Sequence, residues 1–234
     1  AGCERPQAER RTVTILSQAE LPGEEEILNL EDERADLGGQ LAKYLSDKDP
    51  KLRARAALGV GRIRLGTYEP AIAKLALTDA DKTVRARAAW ALGRLGSDGA
   101  EAAITTLLDD RSADVKLAAL AALGLLRPGP LPDKARAFLV PQSNERSALE
   151  LLKAALIAAG RRADDGALAG TIAATTHAEE EVRWRAAWAL GRLPAGESGE
   201  AAKALAALLQ DGNATTRAFA AEGLGRLGDH AAAA

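Results

Sequence analysis

The stretch DKTVRARAAWALGRLG, residues 81–96, returns with small edits as EEEVRWRAAWALGRLP over residues 179–194 and as DPKLRARAALGVGRIRLG over residues 49–66. Weaker copies lie between and after these three. Aligning the glycine inside each copy picks out Gly61, Gly93, Gly124, Gly160, Gly191 and Gly225, at steps of 32, 31, 36, 31 and 34 residues. A sustained period of this size marks a stacked-repeat architecture. Within the copy at 81–96, Val84, Ala88, Leu92 and Leu95 fall at i, i+4, i+8 and i+11, the apolar stripe of a helix, and Asp81 stands where an N-cap belongs. A shorter apolar stretch precedes each later copy, at residues 71–77, 100–108, 135–140, 167–174 and 202–209. Each unit therefore reads as a helix, a turn and a longer helix. One such pair cannot bury its own apolar face, so neighbours must stack.

The residues inside the period narrow the class. Neither the tetratricopeptide string W-x2-L-G-x2-Y nor the ankyrin string T-P-L-H occurs. What recurs is an acidic or polar cap, two residues, Val or Leu, an Arg, and then Ala-Ala-x-Ala-Leu-Gly-Arg-Leu-Gly. This signature resembles the short HEAT repeats of the phycobiliprotein-lyase type. The resemblance covers residues 36–229 and implies an all-α fold, an α-solenoid of six HEAT-like helix pairs. It is clearest in the second and fifth units and degenerate in the fourth, where Leu152 holds the position of Arg53, Arg85, Lys116, Arg183 and Arg217. The fourth unit also follows the run Pro-Gly-Pro-Leu-Pro at 128–132 and carries Pro141, so a bend or slack joint is expected there.

Outside the repeats, residues 24–35 read as a capping helix with acidic side chains at its N-terminal end. Residues 1–23 read as a linker, with β-branched residues at 12–16 left unassigned, and residues 230–234 as a tail foreign to the repeats. The chain contains no methionine, which together with that alanine tail suggests a piece of something longer.

Hydrophobic residues make up 47% of the chain, mostly alanine, and aromatic residues only 3%, a composition that lets helices approach closely. No apolar run approaches the roughly 20 residues of a membrane-spanning helix. Charge is uneven along the chain. Residues 48–96 carry 11 basic and 4 acidic side chains, whereas residues 1–47 carry 5 and 11. The Arg that follows Val or Leu in each unit is placed to bridge carboxylates or carbonyls of adjoining turns, a structural use that accounts for most of the basic excess. With a net charge of −2 and a sequence pI near 5.9, a general nucleic-acid-binding face is disfavoured.

The opposite flank of each second helix carries the candidate site. Arg87, Trp90 and Arg94 stand at i, i+3 and i+7, pointing away from the core stripe toward what resembles the concave groove of a HEAT solenoid. Their equivalents include Arg55, Leu58 and Arg62 in the first unit and Arg185, Trp188 and Arg192 in the fifth, with Trp184 one turn before Trp188. Units three and four supply an apolar middle through Ala118, Ala121, Leu125, Ala154 and Ile157. Trp and Arg are the residue types most enriched at binding hot spots, so the expected partner is a protein or extended peptide. The competing reading has Trp90 and Trp188 as packing residues. Trp184 has no copy in other units and is the stronger candidate for function.

Catalytic groups are scarce. Two histidines, His177 and His230, one cysteine and no H-E-x-x-H or C-x-x-C string supply no metal site and no nucleophile-histidine pair, so no cofactor and no enzyme activity are expected. Deoxyhypusine hydroxylases resemble this chain in fold, but their iron-binding His-Glu pairs are missing here. HEAT-like alkylpurine DNA glycosylases use a cleft with Trp, Arg and Asp, a reading that the acidic balance argues against. Ala1-Gly2-Cys3 matches the end of a bacterial lipobox, with Cys3, the single cysteine, as the lipid-attachment residue. That reading implies a lipid-anchored protein on the periplasmic side of a bacterial envelope; without it the expected location is cytoplasmic. The capping helix, the Val182-to-Leu193 string and the lipobox-like start are together similar to the HEAT region of envelope peptidyl-prolyl isomerase lipoproteins. That resemblance implies a non-catalytic arm, since no isomerase residue is present.

Overall fold

The computed structural model describes residues 23–34, 36, 38–140, 145–194 and 198–233. Cys3, the stretch 12–16 and Pro141 lie outside the described residues. Thirteen α-helices and no strand are found among those described. A first helix α1 (Glu24–Glu33) precedes six pairs: α2 (Gln40–Leu45) with α3 (Pro50–Ile63), α4 (Glu69–Thr78) with α5 (Lys82–Leu95), α6 (Asp98–Thr106) with α7 (Ala113–Leu123), α8 (Asp133–Arg136) with α9 (Arg146–Arg162), α10 (Leu168–Ala174) with α11 (Glu180–Leu190), and α12 (Ser198–Leu208) with α13 (Ala214–Ala233). Second helices form one row, α3 on α5 on α7 on α9 on α11 on α13, and the first helices pack along one side of it. This is an α-solenoid.

Local sequence chemistry sets the helix starts. Asp49 accepts from the Lys51 amide, and Asp81 from the amides of Thr83 and Val84, satisfying donors that the helix leaves unpaired. The predicted apolar stripe is the core: Val84, Ala88 and Leu92 are fully buried. Between layers, contact is made backbone to backbone. A methyl group on Gly93 would lie 2.7 Å from the Ala122 Cα, and one on Gly191 would lie 2.5 Å from the Gly223 Cα, so no other residue fits there.

An arginine ladder locks the turns. Arg85 Nη1 donates to the carbonyls of Asp79 and Ala80 in its own turn, while Nε and Nη2 grip Asp110 of the next unit at 2.7 and 3.0 Å. Arg53 repeats this with Asp47 O, Lys48 O and Asp79, and Arg183 with His177 O, Ala178 O and Asp211. Each aspartate also accepts an amide in its own turn. The structural role read from the sequence is the observed one.

One expectation is corrected. The run at 128–132 is pinned, not slack: Gly129 N donates to Arg162 O at 2.8 Å, and buried Arg162 returns bonds to the carbonyls of Gly129 and Pro130 and to Glu101. α13 itself runs on through Ala233. The acidic N-terminal segment does form a helix over the first layer, burying Ile27 and Leu30 against α3. Tyr44 and Tyr68 tie this region down through short hydrogen bonds from their hydroxyls to Glu26 and Asp36.

Candidate functional site

First helices pack on one side of the second-helix row, and the arginine and tryptophan positions of the second helices fall into two clusters. Near the N-terminal end, Arg62 and Arg94 line an open hollow of about 460 Å3 with Trp90, Glu31, Asp32 and Arg34. Arg94 stacks over Trp90, 5.8 Å from guanidinium carbon to ring centroid. Arg55 and Arg62 both reach Glu31, at 2.8 and 2.6 Å, so the capping helix supplies the counter-charge for the first layer. Arg87 is exposed and has no hydrogen-bond or ion-pair partner among the described residues.

The second cluster sits on α11 and α13. Trp184 stacks on Phe219, ring centroids 5.4 Å apart, and the Arg185 guanidinium carbon lies 4.9 Å from the Trp184 ring centroid. Arg192 lies 4.0 Å from the Trp188 ring centroid and donates to the Trp188 carbonyl. Burial pushes the Arg192 guanidinium below its usual pKa, and Arg226 adds to this, although an arginine so placed stays charged. Lys153 on α9, almost fully buried, pairs with Glu181 at 2.7 Å, and Glu181 in turn holds Arg185 at 2.5 Å. This pairing holds the Glu181 carboxyl below its ordinary range, Lys153 being the larger cause.

Trp90 and Trp188 are half-buried, each with its six-membered ring over the glycine of the preceding layer: a methyl on Gly61 or Gly160 would meet the ring at 2.8 or 2.5 Å. They seal the seams. Trp184, also half-buried, owes its place to Phe219. The two clusters are separated by α7, where Ala121 is exposed, and α9, where Ile157 is half-buried, as is Leu125 just past the end of α7.

The sequence reading missed Glu31, the carboxylate that organises Arg55 and Arg62. Its signal was the acidic segment directly before the most basic stretch. Also missed was a pattern of small residue, any residue, glycine: Gly59-x-Gly61, Ala91-x-Gly93, Ala122-x-Gly124, Ala158-x-Gly160, Ala189-x-Gly191 and Gly223-x-Gly225. Its first member faces the previous layer and its glycine the next. Among the described residues, no group of three His, Cys, Asp or Glu side chains could hold a metal, and no helix is long and apolar enough to cross a membrane.

Layered helix pairs with a lined free side define the class: a repeat protein of the α-solenoid type. The family described as HEAT repeats matches residues 39–124, 69–160 and 168–234, and the chain belongs to it. No curated protein matches significantly. Among solved structures, the complex of CpcE and CpcF of phycocyanin lyase from Nostoc sp. PCC7120 superposes with a TM-score of 0.62 at 23% identity, covering 83% of this chain and 80% of that one. An archaeal HEAT-like repeats protein from Thermococcus onnurineus NA1 gives 0.56 at 14% identity over 88% and 93% of the two chains. A designed armadillo repeat protein gives 0.58 at 22% identity over 80% and 98%. At these identities the likeness concerns the fold.

Proposed function

We propose that this protein is a non-catalytic scaffold that holds a protein segment in extended form along the free side of its second-helix row. The observation that carries this reading is a pair of arginine Nε atoms, Arg94 in one cluster and Arg185 in the other, buried without a hydrogen-bond partner beside tryptophan rings. A buried donor atom left without a partner is costly, and a bound carboxylate or backbone carbonyl would relieve it. Exposed Arg87 adds a cation already free to pair. The partner is then a peptide with acidic and apolar side chains, its apolar residues lying over the alanine-rich middle.

Arrayed extended peptides of varied charge, with tryptophan fluorescence as the second readout, test this. Acidic peptides should bind the parent, and Arg87→Glu should weaken them about tenfold with unchanged circular dichroism and melting temperature. Peptide binding indifferent to Arg87→Glu and Arg94→Gln would remove the groove reading.

A lipid on Cys3, a bacterial-envelope location and membership of a larger envelope isomerase belong to the same proposal, motivated by the sequence alone. Labelled palmitate should enter the protein in bacterial cells and be lost in Cys3→Ser. An unlabelled parent argues for the cytoplasmic alternative.

A further inference from the structure

An arginine recurs one residue past the seam glycine, as Arg62, Arg94, Arg161, Arg192 and Arg226, and the chain itself shows what that position binds. Arg62 Nη1 donates to Glu31 Oε2 at 2.6 Å. Arg226 Nε donates to Glu222 Oε1 at 3.0 Å, and Arg192 Nη2 lies 3.6 Å from the same oxygen while its guanidinium stands over the Trp188 ring. Arg161 is exposed to solvent. Arg94 differs from these. It stands over Trp90 as Arg192 stands over Trp188, and its Nε is buried, yet none of its nitrogens has a hydrogen-bond or ion-pair partner among the described residues.

The register of the layers accounts for the difference. Glu222 stands three residues before Gly225 on α13, the helix that follows Arg192 in the row; the matching residue on α7, the helix that follows Arg94, is Ala121, three before Gly124. Ala121 is exposed and offers Arg94 no carboxylate. Two other seams show the same register, because Trp90 and Trp188 hold this position in their helices and lie against the glycine of the preceding layer. Beside Arg94 is the open hollow of about 460 Å3, whose walls include Trp90, Arg34 and Arg62. Glu31 and Asp32 line it as well, but Glu31 is engaged by Arg55 and Arg62, and neither carboxylate is paired with Arg94.

We infer that this hollow is a pocket for one acidic side chain of the bound segment, its carboxylate against Arg94 beside Trp90, in the relation that Glu222 has to Arg192 beside Trp188. A guanidinium and a carboxylate form charge-assisted bonds, and the indole keeps water from one side of the pair. The inference rests on the scaffold reading and gives the segment its charged anchor. The second cluster takes no acid of its own: Glu181 holds Arg185, and Glu222 faces Arg192 and Arg226, which leaves the Arg185 Nε to a backbone carbonyl.

Heteronuclear NMR tests the pocket apart from the segment. The probe is N-acetyl-glutamate N-methylamide, whose side-chain carboxylate is its single charge, and N-acetyl-glutamine N-methylamide is its neutral counterpart. The acidic probe should move the Arg94 Nε–H and Trp90 indole resonances with a dissociation constant on the order of millimolar, and the neutral one should leave them in place. Ala121→Glu, a change at an exposed site, should supply the carboxylate from the next layer and weaken the probe about tenfold, as should Arg94→Gln. Glu222→Gln should open a second site, seen at the Trp188 indole. Equal shifts from both probes, or undiminished binding in Ala121→Glu, would overturn the pocket. Peptide arrays separate this inference from the scaffold reading. Acidic peptides that lose binding in Arg87→Glu but keep it in Ala121→Glu would leave the scaffold standing and remove the pocket. Saturable probe binding without any peptide binding would remove the scaffold and overturn a bound segment as the source of the carboxylate.

Discussion

Arg85 shows how much one side chain does in this fold: three acceptors in two different units meet a guanidinium that is 5% exposed. Removing one partner of such a buried pair leaves an uncompensated charge, which costs far more than a surface pair is worth. Asp110→Ala should therefore lower unfolding free energy by about 3 kcal/mol in urea titration. Asp114→Ala, which breaks only the solvent-exposed pair with Lys82, should leave the midpoint where it was. The Arg85 hydrogen bond holds the Asp110 carboxyl below its ordinary range, and Arg183 does the same for Asp211. A depressed carboxylate contributes fully above its unfolded value of about 3.9, and the contribution is lost as pH falls through the lower folded value. Tyrosine gives the opposite sign. The bond to Glu26, with burial second, pushes Tyr44 up to about 12, and burial followed by the Asp36 bond does so for Tyr68. Stability from these two is complete below about pH 10 and disappears as pH rises through 12. Tyrosinate absorbance should report ionisation close to pH 12, together with a loss of helix; in Tyr44→Phe one of the two tyrosine steps should vanish.

At the scale of elements, the fourth and fifth units share a compensated defect. Leu152 replaces the ladder arginine of the fourth unit, and the turn it would have gripped carries His177 where others carry Asp79, Asp110 and Asp211. His177 Nδ1 still accepts the Glu179 amide at 3.0 Å, so the turn keeps its shape without a carboxylate. One residue along, Lys153 takes over the joint through Glu150 and Glu181. Restoring the ladder with Leu152→Arg and His177→Asp predicts coupling: each change alone should destabilise, and the pair should recover about 1 kcal/mol or more in a double-mutant cycle. Additive losses would mean that the Lys153 network leaves no room for the rung. The helix starts, the six pairs and the ladder were legible because each depends on a local period or a cap, as at Asp81 and Arg85. The pinned loop at 128–132 and the role of Glu31 were not, because Arg162 and Gly129 lie 33 residues apart and Arg62 and Glu31 lie 31 apart. Periodicity says nothing about such contacts. The tryptophan stripe was half-legible: helical spacing grouped Trp90 with Arg94 and Trp188 with Arg192, but only stacking showed each ring covering a glycine of the layer before it.

For the whole molecule, a stack of near-identical layers has a stability that is a sum of layer and seam terms, so an end layer with one seam is the weakest. The N-terminal end offsets this with α1 and its ties to Arg55 and Tyr44. The C-terminal end has no such cover among the described residues. Buried apolar residues fall into two clusters, a large one running from Ile27 to Ala186 and a smaller one holding Leu190, Leu193, Leu205, Leu208, Ala220 and Leu227. The smaller cluster contains no fully buried aromatic residue, and Gly191 meeting Gly223 gives its seam close backbone contact but little apolar area. Local opening should therefore begin there. Native-state hydrogen exchange is expected to find the amides of α12 and α13 exchanging with lower protection than those of α5 and α7, which have seams on both sides. Equal protection along the whole stack would instead make the protein one cooperative unit, with the seam of Gly191 and Gly223 as strong as the alanine-lined seams before it.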